Sequence, residues 1–425
     1  MRGEDGVYTR QLQAILRSIP FQRPFQITLP DGSLIGPGLA APVFTAHIKT
    51  NRALRDIVAR GSLGFGEAYV RGDVDVDGDL QELALLGFVA QDHALKGALV
   101  ERIGYFLSFL SRRNTPLNSR KNIAAHYDLA NDFYELWLDK QMQYTCAYFN
   151  EPSDELEDAQ FRKMDLVCRK LNLRPGELVV EAGGGWGGLA LHMVRHWGVR
   201  VKSFNISENQ VQYARQRAAE LGIPTDRLEY VLDDYRHIPR HVSRCDKFVS
   251  ICMLEHVGRE NYEAFLELVS GVLPERGLAL IQFISRTAPS ATPNPWLERY
   301  VFPGYYNPSL AELLVALERR RSPLQLIDAE NMRFHYALTL RHWLARFEAH
   351  AEVIRAKWGE AVLRTFRLYL NGGLADFTQG RGTLVYQALF SNGPDNEAPL
   401  DRVRRITEPR PEVENAHRPR HLEPV

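Results

Sequence analysis

The stretch from Leu178 to Leu189 reads Leu-Val-Val-Glu-Ala-Gly-Gly-Gly-Trp-Gly-Gly-Leu: an apolar run, the acid Glu181, then glycines at 183, 184, 185, 187 and 188. This is the pattern of a strand, a tight turn and a helix. Glycine permits positive φ and lets a ligand press against bare backbone, while the first N–H groups of the following helix offer donors at its positive end. Each glycine costs about 0.5–1 kcal/mol of chain entropy, so a turn so dense in glycine is expected to hold a nucleotide-like ligand. Two aromatic segments upstream, His126–Tyr134 and Met142–Phe149, mix rings with polar atoms. They fit either a greasy pocket with a few placed hydrogen bonds or aromatic elements packed on a sheet.

The glycines alone are ambiguous. Gly183, Gly185 and Gly188 satisfy the dinucleotide spacing, whereas Gly183, Gly185 and Gly187 satisfy the tighter spacing of S-adenosylmethionine (SAM) sites. A dinucleotide site needs an acid at the end of the second strand for the ribose. Here that strand, Val199–Asn205, ends in a neutral residue, and the acid is Glu181, placed to fix the turn or to meet the cationic methionine end of SAM.

The elements that must position these groups follow from periodicity. Strands at 178–181, 200–205, 228–232, 248–253 and 278–284 alternate with helices to about Trp197, from Ser207 and near 262–273, which predicts a parallel sheet with crossover helices. Ser207 and Gln210 read as a capping box, and Val211, Ala214, Ala218 and Leu221 as the apolar face behind it. Asn205 and Gln210 thus fall at the carboxyl edge of the sheet, where such folds bind ligands.

Residues 1–110 are expected to form a small α+β domain, with Asp31-Gly32 as a hairpin turn. The acids around Val74 and Val76 lack the spacing of a calcium loop, so no metal is assigned. Residues 94–110 read as a helix, followed by a hinge at 111–122 where Arg112, Arg113, Arg120 and Lys121 form a basic collar suited to anionic lipid heads. The Pro- and aromatic-rich stretch 293–306 reads as a cap within a larger segment 285–345, residues 339–370 as a long helical region, and 392–425 as a disordered tail.

Composition sets limits. The 425 residues carry 52 basic and 52 acidic side chains, which gives no support to a nucleic-acid partner. Four cysteines without a C-x-x-C pair indicate neither zinc nor a disulfide framework. The N-terminus carries acids and no apolar core, and no apolar run reaches membrane-spanning length, so a cytoplasmic protein is expected.

Four segments, His126–Tyr134, Met142–Phe149, Glu181–Ala190 and Met253–Gly258, together with Gly61–Tyr69, closely resemble the cyclopropane-fatty-acyl-phospholipid synthase family, which includes mycolic acid methyltransferases. The resemblance runs from about Phe25 to Ser391 and implies a class I SAM-methyltransferase α/β fold, a Rossmann-like sheet with an aromatic lipid-binding cap, spanning 123–391 behind the N-terminal lipid-facing domain. It implies methyl transfer to the cis double bond of an unsaturated phospholipid acyl chain by a protein peripheral on the inner face of the membrane. A non-catalytic lipid-binding module on the same fold is the alternative.

Carried over residue by residue, SAM falls on Tyr144, Thr145, Glu181, Gly183, Gly184, Gly185, Gly187, Asn205, Gln210, Asp234 and Tyr235. A bicarbonate serving as base falls on Cys146, Glu255 and Tyr336. The chain departs from the family in three places. A glycine, Gly184 or Gly185, stands where the loop usually has cysteine, and the segment Asn371–Leu374 lacks a cysteine found in relatives, which excludes a thiol mechanism there. Where relatives read His-Thr-Ile, this chain reads Gln282-Phe-Ile284, so the bicarbonate-site histidine is a glutamine. The expected product is a cyclopropane or a methylene that a partner reductase would convert to a methyl branch; a homo-oligomer stays open.

Overall fold

The computed structural model describes residues 2–37, 41–95, 131–287, 293–320, 322–380, 382–395, 397 and 399–408. The expected helix beyond residue 95, the basic collar at 112–121, the segment 126–130 and the tail beyond 408 lie outside them. The described chain divides into two compact units, one made of residues 1–137, 286–306 and 336–384, the other of 138–285, 307–335 and 385–425. This partition cuts across the sequence-based domains at 1–110 and 123–391: residues 286–306 and 336–345 of the expected cap and the whole of the long helical region, 339–370, fall in the same unit as residues 1–137.

The first unit holds a sheet of β1 (Phe25–Thr28), β2 (Leu34–Ile35), β3 (Phe44–Ile48) and β4 (Val74–Gly78) in the order β2-β1-β3-β4. The Asp31-Gly32 hairpin joins β1 to β2 as expected, with Gly32 at φ +81° and Asp31 Oδ1 accepting from Ser33 N at 2.9 Å. The alternating Val74–Gly78 stretch pairs antiparallel with β3. Phe25, Ile27, Phe44, Ala46 and Ile48 alternate inward and form a core with Ala53, Leu54 and Ala68 of the helix Asn51–Val70. The long helical region is three helices, Arg333–Ala349, Ala351–Trp358 and Glu360–Gln379, broken at His350 and at Gly359, whose φ of +88° no helix accommodates. Within this unit Phe133 and Trp137 pack against Trp343, Phe347, Trp358 and Phe366 with centroids 4.7–6.4 Å apart. Of the two uses open to the segment ending at Tyr134, its described residues serve packing.

In the second unit a seven-stranded sheet runs β10-β11-β9-β8-β5-β6-β7, with β5 Leu178–Ala182, β6 Arg200–Asn205, β7 Leu228–Leu232, β8 Lys247–Ile251, β9 Leu278–Arg286, β10 Leu324–Asn331 and β11 Thr383–Asn392. The pairs β5–β6, β6–β7, β5–β8 and β8–β9 are parallel, as the alternation predicted, and β10–β11 is antiparallel. Val179, Val201, Val249 and Leu280 build the core on the sheet with Leu189, Met193 and Val194 of the helix Gly188–Trp197. After β5 the chain builds β6 and β7 on one side, then returns to add β8 on the other, so the crevice at the carboxyl ends of β5 and β8 is the topological switch point.

Two expectations need correction. Leu221 is 44% exposed and ends its helix rather than joining the apolar face. Residues 399–407 of the expected tail form a helix, fixed by Arg402 and Arg405 on Glu397 and by Arg405 on the carbonyl of Lys170.

Candidate active site

The loop after β5 is fixed from several sides. Gly183, Gly185 and Gly187 have φ of +86°, +54° and +82°, conformations that favour glycine. The N–H groups of Gly183 and Gly184 both donate to the carbonyl of Phe204 on β6, at 2.9 and 3.2 Å. A Cβ at Gly184 would lie 2.0 Å from Ser203 Oγ, one at Gly187 2.5 Å from Tyr230 Oη, and one at Gly183 2.9 Å from Met253 Cβ. At Gly185 a Cβ would meet nothing within 4 Å, so this backbone faces open space.

Glu181 lies beneath the loop, 3% exposed, and accepts from Ser203 Oγ at 2.6 Å. Burial pushes its carboxyl up to about 7, against the opposing pull of Ser203 and the Lys163 ammonium. Asn205 ties the loop to the next helix: its Nδ2 donates to the carbonyl of Gly185 at 3.1 Å and to Gln210 Oε1 at 2.8 Å. Ser207 caps the helix through the N–H of Gln210, but the Gln210 amide turns to Asn205 instead of closing the capping box. Asp234 is 2% exposed and caps its own turn at Arg236 N while pairing with the Arg236 guanidinium at 2.9 Å. Tyr235 has that guanidinium 4.9 Å over its ring. Tyr144 and Thr145 are both half-buried, and Thr145 Oγ1 accepts from Lys163 Nζ at 2.8 Å.

At the end of β8, Met253 packs on Gly183, and two residues on comes Glu255. It is 4% exposed; its Oε1 accepts from Ile284 N at 2.6 Å, and among the described residues its buried Oε2 has no partner. Burial pushes this carboxyl up to about 7, the Ile284 bond opposing. Cys146 is 1% exposed, with Sγ 3.2 Å from the carbonyl of Ala147 and 3.8 Å from that of Met332.

Gln282 is fully buried and engaged at both amide ends: its Oε1 accepts from Gln387 Nε2 at 2.9 Å, and its Nε2 points to Cys252 Sγ at 3.6 Å. Tyr336 belongs to the other unit, where its ring stands edge-on to Phe377 and Trp343 at 4.6 and 5.9 Å.

The donor set fits SAM. A carboxylate 3% exposed, a loop whose backbone is bare at Gly185 and a helix N-terminus beginning at Gly188 share one sheet edge. Sequence reasoning missed Gln160 and Lys163 of the helix Leu156–Lys170, which hold the segment 143–145, and Gln387, the partner of Gln282. A lysine at the core-facing spacing of 160, 163, 164 and 167 is the sequence signal for the first pair; Gln387 carries no such mark, because its partner Gln282 lies 105 positions away.

Comparison with known proteins gives a consistent result. The family described as mycolic acid cyclopropane synthetase matches residues 115–387, and a domain of unknown function (DUF7884) matches 12–98. A probable fatty acid methyltransferase from Pseudomonas putida is 32% identical over 87% of this chain and 92% of its own length. The cyclopropane-fatty-acyl-phospholipid synthase of Escherichia coli K12 is 31% identical over 82% of this chain and 88% of its own. Among solved structures, the mycolic acid cyclopropane synthase CmaA1 complexed with SAH and CTAB superposes with a TM-score of 0.59 at 29% identity, covering 64% of this chain and 98% of that one.

Proposed function

Because the chain belongs to the mycolic acid cyclopropane synthetase family, we propose that it methylates the cis double bond of an unsaturated fatty acyl chain carried on a membrane phospholipid, with SAM as donor. The observation that carries this reading is Glu255: a buried carboxylate with one oxygen unpartnered among the described residues, at the sheet edge that also carries Gly185 and Glu181. When bound, SAM supplies an electrophilic methyl group. Tyr144, Thr145, Glu181, the glycine loop, Asn205, Gln210, Asp234 and Tyr235 would hold it.

An alkene is a weak nucleophile, so the remaining residues must orient it and keep water from the carbocation that methylation creates. Aromatic faces stabilise such a cation without reacting with it. Glu255 fits the proton-bearing side of a bicarbonate base, since Ile284 N fixes one oxygen and leaves the other available. Gln282 fits it poorly, because Gln387 and Cys252 occupy its amide. That engagement favours a second outcome over ring closure: a hydride shifts along the substrate cation, Glu255 Oε2, unpartnered among the described residues, would take a proton from the former methyl group, and an exocyclic methylene remains for a reductase.

The test incubates the protein with SAM and vesicles of cis-unsaturated phospholipid and follows the acyl chains by mass spectrometry and proton NMR. The expected result is a SAM-dependent gain of one CH2 per modified chain, with vinylic methylene resonances. High-field cyclopropane resonances alone, equally bicarbonate-dependent in wild type and Gln282→His, would remove the methylene outcome. No mass gain in a protein that still binds SAM would leave the lipid-binding alternative.

A further inference from the structure

The helix Leu156–Lys170 turns a polar pair, Gln160 and Lys163, into the core, both 0% exposed. Burying an ammonium costs several kcal/mol unless it is paired, and among the described residues no carboxylate lies within ion-pair distance of Lys163. Its Nζ instead donates to Gln143 Oε1 at 2.5 Å and Thr145 Oγ1 at 2.8 Å. Gln160 Nε2 adds bonds to the carbonyls of Gln143 and Thr145 at 3.3 and 2.8 Å. Residues 143 and 145 are thus held through backbone and side chain together, with Tyr144 between them. The other end of the Gln143 amide lies where a Cβ at Gly188 would be 2.3 Å away, so the same side chain also abuts the start of the glycine-loop helix.

We propose that Lys163 is a positioning residue of the methyl-donor site: through Gln143 and Thr145 it fixes the segment that carries Tyr144 and Thr145. This rests on the reading of Thr145 and Glu181 as SAM contacts. The charge has a defined direction of effect. Burial raises the Glu181 carboxyl to about 7, and both the Ser203 bond from β6 and the Lys163 ammonium oppose it. Tyr230 on β7 also feels Glu181, while Asp139, Cys146 and Cys252 share the field of Lys163. Burial pulls Lys163 itself down to about 8, with Asp139 the leading opposing charge. Removing the cation therefore lifts Glu181 further, and because the cationic end of SAM needs an ionised partner, the pH at which affinity develops moves upward.

SAM titrations of the full chain by calorimetry between about pH 6 and pH 9, with thermal melts alongside, test this. Lys163→Met is expected to lose about ten-fold or more in affinity, the scale of a hydrogen bond from a charged group, with the midpoint of its affinity–pH curve displaced upward. Lys163→Arg should restore the midpoint. Lys163→Gln, which keeps a donor without charge, should retain the displacement, and it serves if the methionine variant does not fold. A folded Lys163→Met or Lys163→Gln protein with wild-type affinity and the wild-type midpoint would overturn the proposal. Wild-type affinity in both Thr145→Val and Glu181→Gln would instead overturn the site reading on which it rests.

Discussion

A Cβ at Gly183, Gly184, Gly187 or Gly188 would strike Met253, Ser203, Tyr230 or Gln143, whereas one at Gly185 would enter open space. The spacing of the glycines suggests a ligand site, but which glycine has open space beside it is not legible in the sequence, since that depends on neighbours far away along the chain. The contrast makes a prediction. Asn tolerates the left-handed region that Gly185 occupies, so Gly185→Asn should fold with a near-normal melting temperature yet bind SAM at least about ten-fold more weakly, a loss of roughly 1.4 kcal/mol. Gly183→Val, facing Met253, should lower the melting temperature as well. Calorimetry paired with thermal melts separates the two, and unchanged affinity in Gly185→Asn would clear Gly185 of a cofactor role.

Glu255 gives a second expectation at this scale. Its folded carboxyl sits near 7, above the ordinary 4.5, so the folded protein binds more protons than the unfolded chain between those values. Stability from this group is complete below the unfolded value and falls as pH rises through the folded one, a change of about 3 kcal/mol at most for a shift of that size. Glu255→Gln should flatten that limb of the stability curve, so the variant's stability relative to wild type rises from pH 5 to about pH 7.5. Denaturant melts showing parallel pH profiles would contradict a raised Glu255.

At the level of elements, β5 to β9 were readable because buried parallel strands appear as short apolar runs with helices between them. The strands β10 and β11 were not. In β10 only Leu324 is buried and the acids Asp328 and Glu330 interrupt any apolar run, while its pairing with β11 joins residues some sixty positions apart. The helix Asn51–Val70 shows the same limit: Gly66 reads as a weak helix residue, yet a Cβ there would lie 2.2 Å from the Trp296 indole. Trp296 is 4% exposed, so the glycine is a notch for the helix Pro295–Tyr300. Trp296→Ala should cost about 3–5 kcal/mol, and Gly66→Ala about 1–3 kcal/mol despite its better helix propensity. The double variant should cost less than the sum, because the clash needs both partners. Additive losses in urea melts would show that the notch is not the coupling.

For the whole molecule, the lipid reading requires reversible attachment to a bilayer, and among the described residues no helix is long and apolar enough to cross one. We propose that the basic collar, a feature of the sequence, meets anionic heads. Charge reversal at Arg112 and Arg113 should weaken binding to anionic vesicles several-fold at low salt, and by less at about 0.5 M salt, where screening removes most of the wild-type attraction. Cosedimentation at the two salt concentrations decides it; equal binding by both proteins would place the contact elsewhere.

The interleaving of the two units bears on how the chain reaches its fold. The polypeptide passes between them five times, at residues 137, 285, 306, 335 and 384. A ribosome releasing the N-terminal sheet has not yet made the helices Arg333–Ala349 and Glu360–Gln379 that belong to its unit, nor, when β5 to β9 emerge, the strands β10 and β11 that extend their sheet. Neither unit can finish folding as it is synthesised, so late, long-range contacts must close both. Chains arrested before residue 384 should therefore remain protease-sensitive, and β11, which joins β10 to β9, acts as the latch for the strands made before it.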